Sequence, residues 1–162
     1  MTIAHTARVT PPMGADPEPL DPAFLQSFCA QRHAAWNAQD YEHVTAMCTD
    51  DVESRDPTLP EAEFGRRPVT TIMAMVARAC ADYRFEETEP AYASQTRTEA
   101  TVPWRCTGTV TGSLVPPGFA TTGNSIQLHG DEHWEFRGGL LCRWLAVERC
   151  LPTAWRGADL TR

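Results

Sequence analysis

The sequence contains no lysine: all 14 of its basic residues are arginine. Without an ε-amine, the chain can neither form a lysine Schiff base, as pyridoxal-phosphate enzymes do, nor complete a Walker-type phosphate loop. Arginine stays protonated at neutral pH and cannot serve as a general base. Any proton transfer must therefore use carboxylates, histidines, cysteines or tyrosines.

Several motifs that carry known chemistry are also absent. The six cysteines form no Cys-x-x-Cys pair, so neither a zinc knuckle nor a redox motif is indicated. The sequence has no Gly-x-Ser-x-Gly, no His-Glu-x-x-His and no Gly-x-Gly-x-x-Gly. Serine hydrolases, zinc proteases and dinucleotide-dependent enzymes therefore have no support, and we predict no metal and no cofactor.

Long apolar runs and a basic surface are missing as well. No stretch is long enough to cross a bilayer, and the N-terminus lacks the pattern of a signal peptide. The 21 acidic residues outnumber the 14 basic ones, which gives a formal net charge of −7. This balance argues against nucleic-acid or anionic-membrane partners. We expect a cytoplasmic protein whose cysteines are reduced.

What is present suits one domain. Residues 1–20 contain several prolines and no periodicity, which predicts a disordered arm. Residues 21–150 have enough apolar content for one core, and residues 151–162 are typical of a loose tail.

The first half of the domain has helical periodicity. Asp21 and Pro22 are typical of an N-cap followed by the first helical residue. The segments in which apolar residues recur with helical spacing are about 22–36, 41–48 and 68–81.

The second half has a period of two, which predicts strands. The alternating segments are 85–92, 101–111, 126–137 and 140–150, with a Gly-Gly hairpin turn between the last two. A short strand over 52–56 falls between the second and third helices. Three helices followed by antiparallel strands predict an α+β fold.

Three ionisable residues are candidates for chemistry. Glu132 is the only ionisable residue on the apolar face of its strand, where an unpaired charge would be costly. A structural hydrogen bond explains this position equally well. Asp56 ends a strand before Pro57, which is also a common turn. Arg32 shares a helical file with Phe28 and Trp36; it is either a cation at the base of a pocket or an arginine at the edge of the core.

A histidine-rich strand face suggests a metal site at first sight. His129, Asp131 and His133 share one face, but the two histidines would be about 13 Å apart along the strand. Two ligands at that separation cannot hold one ion, so a polar outer face is the better interpretation.

The sequence resembles the NTF2-like superfamily, and most closely its SnoaL-like polyketide-cyclase and ketosteroid-isomerase branches. The likeness rests on residues 35–40 (AWNAQD), 49–52 (TDDV), 55–57 (RDP), 104–112 (WRCTGTVTG) and 130–141 (GDEHWEFRGGLL). It covers roughly residues 22–150, and the order and spacing of the motifs carry it.

The resemblance implies a cone in which a strongly curved antiparallel sheet wraps three helices and encloses one deep apolar pocket, often in a homodimer. In ketosteroid isomerases, an aspartate before a proline shuttles the proton, and Asp56 matches that position. A second acid on the closing hairpin donates a hydrogen bond in the isomerases and acts as the acid/base in the cyclases; Glu132 matches it. Arg32 takes the place of the isomerase tyrosine.

We therefore predict a cofactor-independent isomerase or cyclase that acts by proton transfer on a hydrophobic, carbonyl-bearing small molecule, polyketide-like or steroid-like. Asp56 would be the base, Glu132 the acid or oxyanion donor, and Arg32 the residue that holds an oxyanion or polar substituent. The residues predicted to contact substrate are Phe28, Trp36, Trp104, Trp134, Trp144 and Glu148.

Two alternatives remain open at this stage. The same fold can serve as a non-catalytic binding module. It can also support a hydrolase or dehydratase in which Glu132 or Glu148 activates water. Asp56 and Glu132 would have to face one enclosed space for the first prediction to hold.

Overall fold

A computed structural model describes residues 19–57, 59–95, 98–112 and 123–148. The predicted arm lies outside these ranges except for its last two residues, and the predicted tail lies wholly outside them.

Three α-helices form, as predicted: α1 (Pro22–Asn37), α2 (Tyr41–Ala46) and α3 (Arg66–Ala79). The Asp21 side chain caps α1 by accepting a hydrogen bond from the backbone N–H of Ala23. Cys48, expected on the second helix, instead begins the first strand because it pairs with Leu141 of the last strand.

Within the described ranges, seven strands form one curved, unclosed sheet. They are β1 (Cys48–Arg55), β2 (Glu63–Phe64), β3 (Arg84–Glu87), β4 (Tyr92–Ala93), β5 (Glu99–Thr109), β6 (Ser125–Arg137) and β7 (Leu140–Glu148). Their order is β2-β1-β7-β6-β5-β3, and β4 also pairs with β5. The α+β architecture predicted from the sequence is confirmed.

One strand pair departs from the antiparallel pattern. β1 runs parallel to β7, with Ser54 beside Trp144, so the sheet is mixed. The hairpin of β6 and β7 runs antiparallel, with Trp134 opposite Trp144. This arrangement brings an early strand next to the closing hairpin and places their side chains on one surface.

The core lies between the helices and one face of the sheet, which we call the inner face. The amphipathic helix α3 contributes Val69, Ile72 and Met73, each almost fully buried. On β6 the inner face consists of alternate residues from Ile126 to Phe136, the parity predicted from the sequence. Among the described residues, no helix is long and apolar enough to cross a membrane.

Candidate active site

Glu132 lies in the middle of β6 on the inner face, with only 8% of its surface exposed. Its Oε2 accepts a hydrogen bond of 2.6 Å from the indole Nε1 of Trp134. Burial raises the pKa of Glu132, and the charge of Asp56 adds to the rise, whereas the charge of Arg32 and the Trp134 N–H oppose it. Because burial outweighs the opposing effects, the site favours the neutral acid, which is the form that can donate a proton.

Arg32 projects from α1 into the same interior and is 1% exposed. Its Cζ atom lies 5.3 Å from the ring centroid of Trp144, 5.5 Å from that of Trp134 and 5.8 Å from that of Trp36. These are cation–π distances, which stabilise a buried guanidinium without satisfying its N–H groups. Among the described residues, nothing accepts a hydrogen bond from either terminal nitrogen of Arg32.

Three further buried polar groups on the inner face lack a hydrogen-bond partner among the described residues. They are the hydroxyl of Ser54 and the indole nitrogens of Trp104 and Trp144. Ser54 is fully buried on β1, directly beside Trp144. The Trp144 indole also favours the charged form of Glu132, so it lies near that carboxyl group. Buried polar groups are normally paired, so such a collection points to a ligand or to bound water.

Asp56 follows the last residue of β1 and is half-buried. Its backbone carbonyl accepts a hydrogen bond from the N–H of Leu59, which gives the turn expected of an Asp-Pro pair. Its carboxylate acts electrostatically on Glu132. The structure thus places the two predicted acids within electrostatic range of each other and puts Arg32 beside Glu132.

The predicted substrate-contacting aromatic residues are all buried. Trp36 and Trp144 are 5.9 Å apart between ring centroids, and Phe85 links Trp36 to Trp104 at 5.4 and 5.5 Å. Phe28 packs against Trp134 at 5.6 Å, so it belongs to the same aromatic lining. The side chain of Glu148 lies outside the described part of the structure.

Other groups near the site are less suited to proton transfer or nucleophilic attack. Burial raises the pKa of the Cys29 thiol to about 12 and also raises that of Cys48, so both thiols stay protonated at neutral pH. The hydroxyl of Tyr83 donates a 2.5 Å hydrogen bond to the backbone carbonyl of Trp36. It therefore does not replace the tyrosine expected from the isomerase resemblance.

His33 and Glu87 form a second partly buried pair, between α1 and β3, which sequence reasoning missed. Nδ1 of His33 lies 3.4 Å from Oε1 of Glu87. Burial and the charge of Arg32 lower the pKa of His33 to about 4, so this imidazole is neutral at pH 7.

The outer face of the sheet carries the histidines considered above as metal ligands. His129 contacts Gln127, and His133 contacts Thr101 at 3.1 Å. Within the described ranges, no three His, Cys, Asp or Glu residues are grouped closely enough to hold a metal ion. A cavity of about 360 Å³ opens beside β4, and its lining includes Tyr92, Thr101, His133 and Arg143. That cavity includes none of Arg32, Asp56 and Glu132.

The model of the SnoaL-like domain matches residues 30–144, which is most of the chain and includes Arg32, Ser54, Asp56 and Glu132. The chain belongs to the SnoaL-like domain family. This confirms the resemblance noted from the sequence. A comparison with curated proteins found no match.

Solved structures with the same fold come from several bacteria. AclR from Streptomyces galilaeus, described as a candidate hydroxylase, has 19% identity and a TM-score of 0.70, with 84% of this chain and 85% of that one covered. A candidate polyketide cyclase from Pseudomonas putida KT2440 has 17% identity and a TM-score of 0.64, with 76% and 90% covered. A candidate ketosteroid isomerase from Kribbella flavida has 16% identity and a TM-score of 0.57, with 80% of each chain covered. At these identities the likeness establishes the NTF2-like fold and leaves the reaction to the site itself.

Proposed function

We propose that this SnoaL-like protein is a cofactor-independent enzyme of the cyclase or isomerase type. It acts on a hydrophobic, carbonyl-bearing small molecule, polyketide-like or steroid-like, by removing a proton next to the carbonyl group. The observation that carries the proposal is Glu132, a buried carboxyl group whose pKa is raised by burial and, to a smaller extent, by the charge of Asp56.

The proposed roles follow from the two environments. Asp56 is half-buried at a strand end, where its carboxylate would accept the proton as the base. Glu132 is deeply buried, and its raised pKa favours the neutral form that would donate a hydrogen bond or a proton to the enolate oxygen. Arg32 supplies positive charge beside that oxygen. Pairs of acids whose environments drive their pKa values apart are typical of acid–base enzymes.

The binding-module alternative predicts a pocket without poised acids. In such a protein, Glu132 would be paired with a structural arginine, yet in the described part of the structure its carboxyl group accepts a hydrogen bond from the indole N–H of Trp134. This observation favours the catalytic proposal over the binding module. The homodimer suggested by the family resemblance stays a prediction, which light scattering of the purified protein would test.

Hydrogen–deuterium exchange tests the proposal without knowledge of the natural substrate. The probe is 2-tetralone, an aromatic ketone, incubated in D₂O and followed by NMR at its α-hydrogens. We expect the protein to accelerate the exchange and Asp56→Asn to lower the rate by about 10²- to 10⁴-fold, the usual contribution of a general base. Asp50→Asn, which alters an exposed acid at the other end of β1, is the matched control and should retain the full rate.

The same assay separates the two acids. Glu132→Gln keeps a hydrogen-bond donor but cannot release a proton, so we expect a smaller loss than for Asp56→Asn. Full exchange activity in Asp56→Asn would exclude it as the base, and absence of exchange in the wild type with 2-tetralone and other aromatic ketones would favour the binding module.

A further inference from the structure

The guanidinium of Arg32 is a buried positive charge without a counter-ion among the described residues. Burying a charge costs several kcal/mol unless a partner compensates it. The ion pairs that the structure shows for arginine do not involve Arg32. They are formed by exposed or half-exposed arginines on the surface: Arg55, Arg66, Arg105, Arg137 and Arg143. Several surface arginines are thus paired with carboxylates, whereas the buried Arg32 has no ion pair among the described residues.

Glu132 is the nearby carboxyl group, yet it does not fill this role. Among the described residues, the two side chains form no ion pair and both terminal nitrogens of Arg32 lack an acceptor. Burial also raises the pKa of Glu132, which favours its neutral form and weakens it as a counter-ion.

The neighbouring groups add hydrogen-bond donors to this positive charge. The hydroxyl of Ser54 and the Nε1–H of Trp144 lie on adjacent strands, and the Trp144 ring is the nearest of the three indoles to Arg32. A guanidinium and two neutral donors form a set that matches a carboxylate or an ionised enol, which offers several acceptor lone pairs. The surrounding indoles suit a flat aromatic skeleton attached to that group.

We infer that the site binds an anionic ligand: a flat aromatic or polycyclic molecule whose carboxylate or enolate oxygen is held by Arg32, with Ser54 and Trp144 as additional donors. This inference rests on the proposed function for the location of the ligand, and it adds the substrate's charge and a specificity residue, Ser54. A neutral ketone of the same skeleton would leave the Arg32 charge uncompensated.

Binding of two matched probes tests the inference without any turnover. The probes are 2-naphthoate and 2-acetylnaphthalene, which share a ring system and differ in charge, and their affinities are measured by calorimetry at pH 7.5. We expect 2-naphthoate to bind at least tenfold more tightly. Equal affinity, a preference for the ketone or no binding of 2-naphthoate at millimolar concentration would overturn the inference.

Three variants assign the preference to the named groups. Arg32→Met keeps an apolar stem and should abolish the preference for 2-naphthoate, while Arg32→Lys keeps the charge without the planar fork and should reduce it partly. Ser54→Ala should weaken 2-naphthoate binding about three- to tenfold, the loss of one hydrogen bond. Arg84→Met, at an exposed arginine on β3, is the control and should change neither affinity.

Thermal unfolding of the ligand-free variants distinguishes a binding charge from a structural one. If the Arg32 charge serves to bind an anionic ligand, Arg32→Met should melt at the same temperature as the wild type or higher, because an uncompensated buried charge has been removed. A substantially lower melting temperature, or failure to fold, would show that the charge is structural and would contradict the inference.

The two proposals fail in different ways. Asp56→Asn should lose exchange of 2-tetralone and still prefer 2-naphthoate. If the wild type shows the anion preference but catalyses no exchange, the proposed enzymatic function is wrong and the anion site stands.

Discussion

The two faces of β6 carry similar polar side chains that differ in burial and in hydrogen bonding. On the outer face, His133 contacts Thr101, and Glu135 is only partly buried. On the inner face of the same strand, Glu132 is buried against Trp134 and lies near an arginine that has no hydrogen bond from its terminal nitrogens. On the outer face most of these polar groups are paired, apart from the buried Nε of Arg105, whereas the described part of the inner face carries a cluster of buried polar groups without a hydrogen-bond partner. Such groups are unfavourable for stability, so they are best explained by a ligand.

The largest expected effect is a loss of stability on adding a side chain at Gly130, on the inner face of β6. A Cβ atom at this position would lie 2.5 Å from Cζ2 of Trp104 and would also clash with the backbone carbonyl of Val147. Because the backbone of β7 cannot easily move away, we expect Gly130→Ala to lower the free energy of unfolding by about 3 kcal/mol, at the upper end for overpacking. Urea denaturation measures this change.

The control for Gly130→Ala lies on the outer face of the same strand. Gln127 is exposed, so Gln127→Ala should alter stability by less than about 0.5 kcal/mol. Comparable losses in the two variants would contradict the contrast between the faces.

The second prediction concerns the pH dependence of the free energy of unfolding. It compares a variant of Glu132, on the inner face of β6, with a variant of Glu135, on the outer face. The pKa of Glu132 is raised in the folded state above its ordinary value of 4.5. Above pH 4.5 the unfolded chain releases this proton while the folded protein retains it, so stability falls as the pH rises towards the folded pKa. The slope approaches about 1.4 kcal/mol per pH unit for one proton.

Glu132→Gln removes this titration, so its stability relative to the wild type should increase as the pH rises from 4.5. Glu135→Gln is the matched control on the outer face of the same strand, where the side chain is only partly buried. Urea denaturation of the three proteins at pH 4.5, 6 and 7.5 checks this prediction. Parallel stability profiles for the wild type and Glu132→Gln would show that the buried carboxyl group is compensated.

Much of this contrast could be predicted from the sequence, because strand alternation alone assigns residues to faces. The period of two placed Glu132 with Trp134 on the inner face and His133 on the outer face, and the structure agrees. Helical spacing likewise placed Arg32 on the buried side of α1. Local rules are sufficient where periodicity decides the direction of a side chain.

Contacts between distant segments could not be predicted in this way. The parallel pairing of β1 with β7 puts Ser54 beside Trp144, and nothing in a short strand of mixed polarity indicates such a partner. Ser54 is therefore absent from the candidate residues predicted from the sequence. The lack of a counter-ion for Arg32 among the described residues is likewise a property of the assembled interior, because it depends on how α1 packs against β6 and β7.

The smallest expected effect on stability comes from an exposed ion pair on the outer surface, which contrasts with the buried Arg32. Arg137 pairs with Asp51, and both side chains are mostly exposed to solvent. Water screens such a pair and side-chain entropy opposes it, so surface ion pairs of this kind contribute little. Asp51→Asn should change the free energy of unfolding by less than about 0.5 kcal/mol and should leave the binding of 2-naphthoate unchanged. If calorimetry showed a large effect of Asp51→Asn on the binding of 2-naphthoate, the outer ion pair would be coupled to the inner site, and the division of the sheet into a solvated polar face and a ligand-binding face would be wrong.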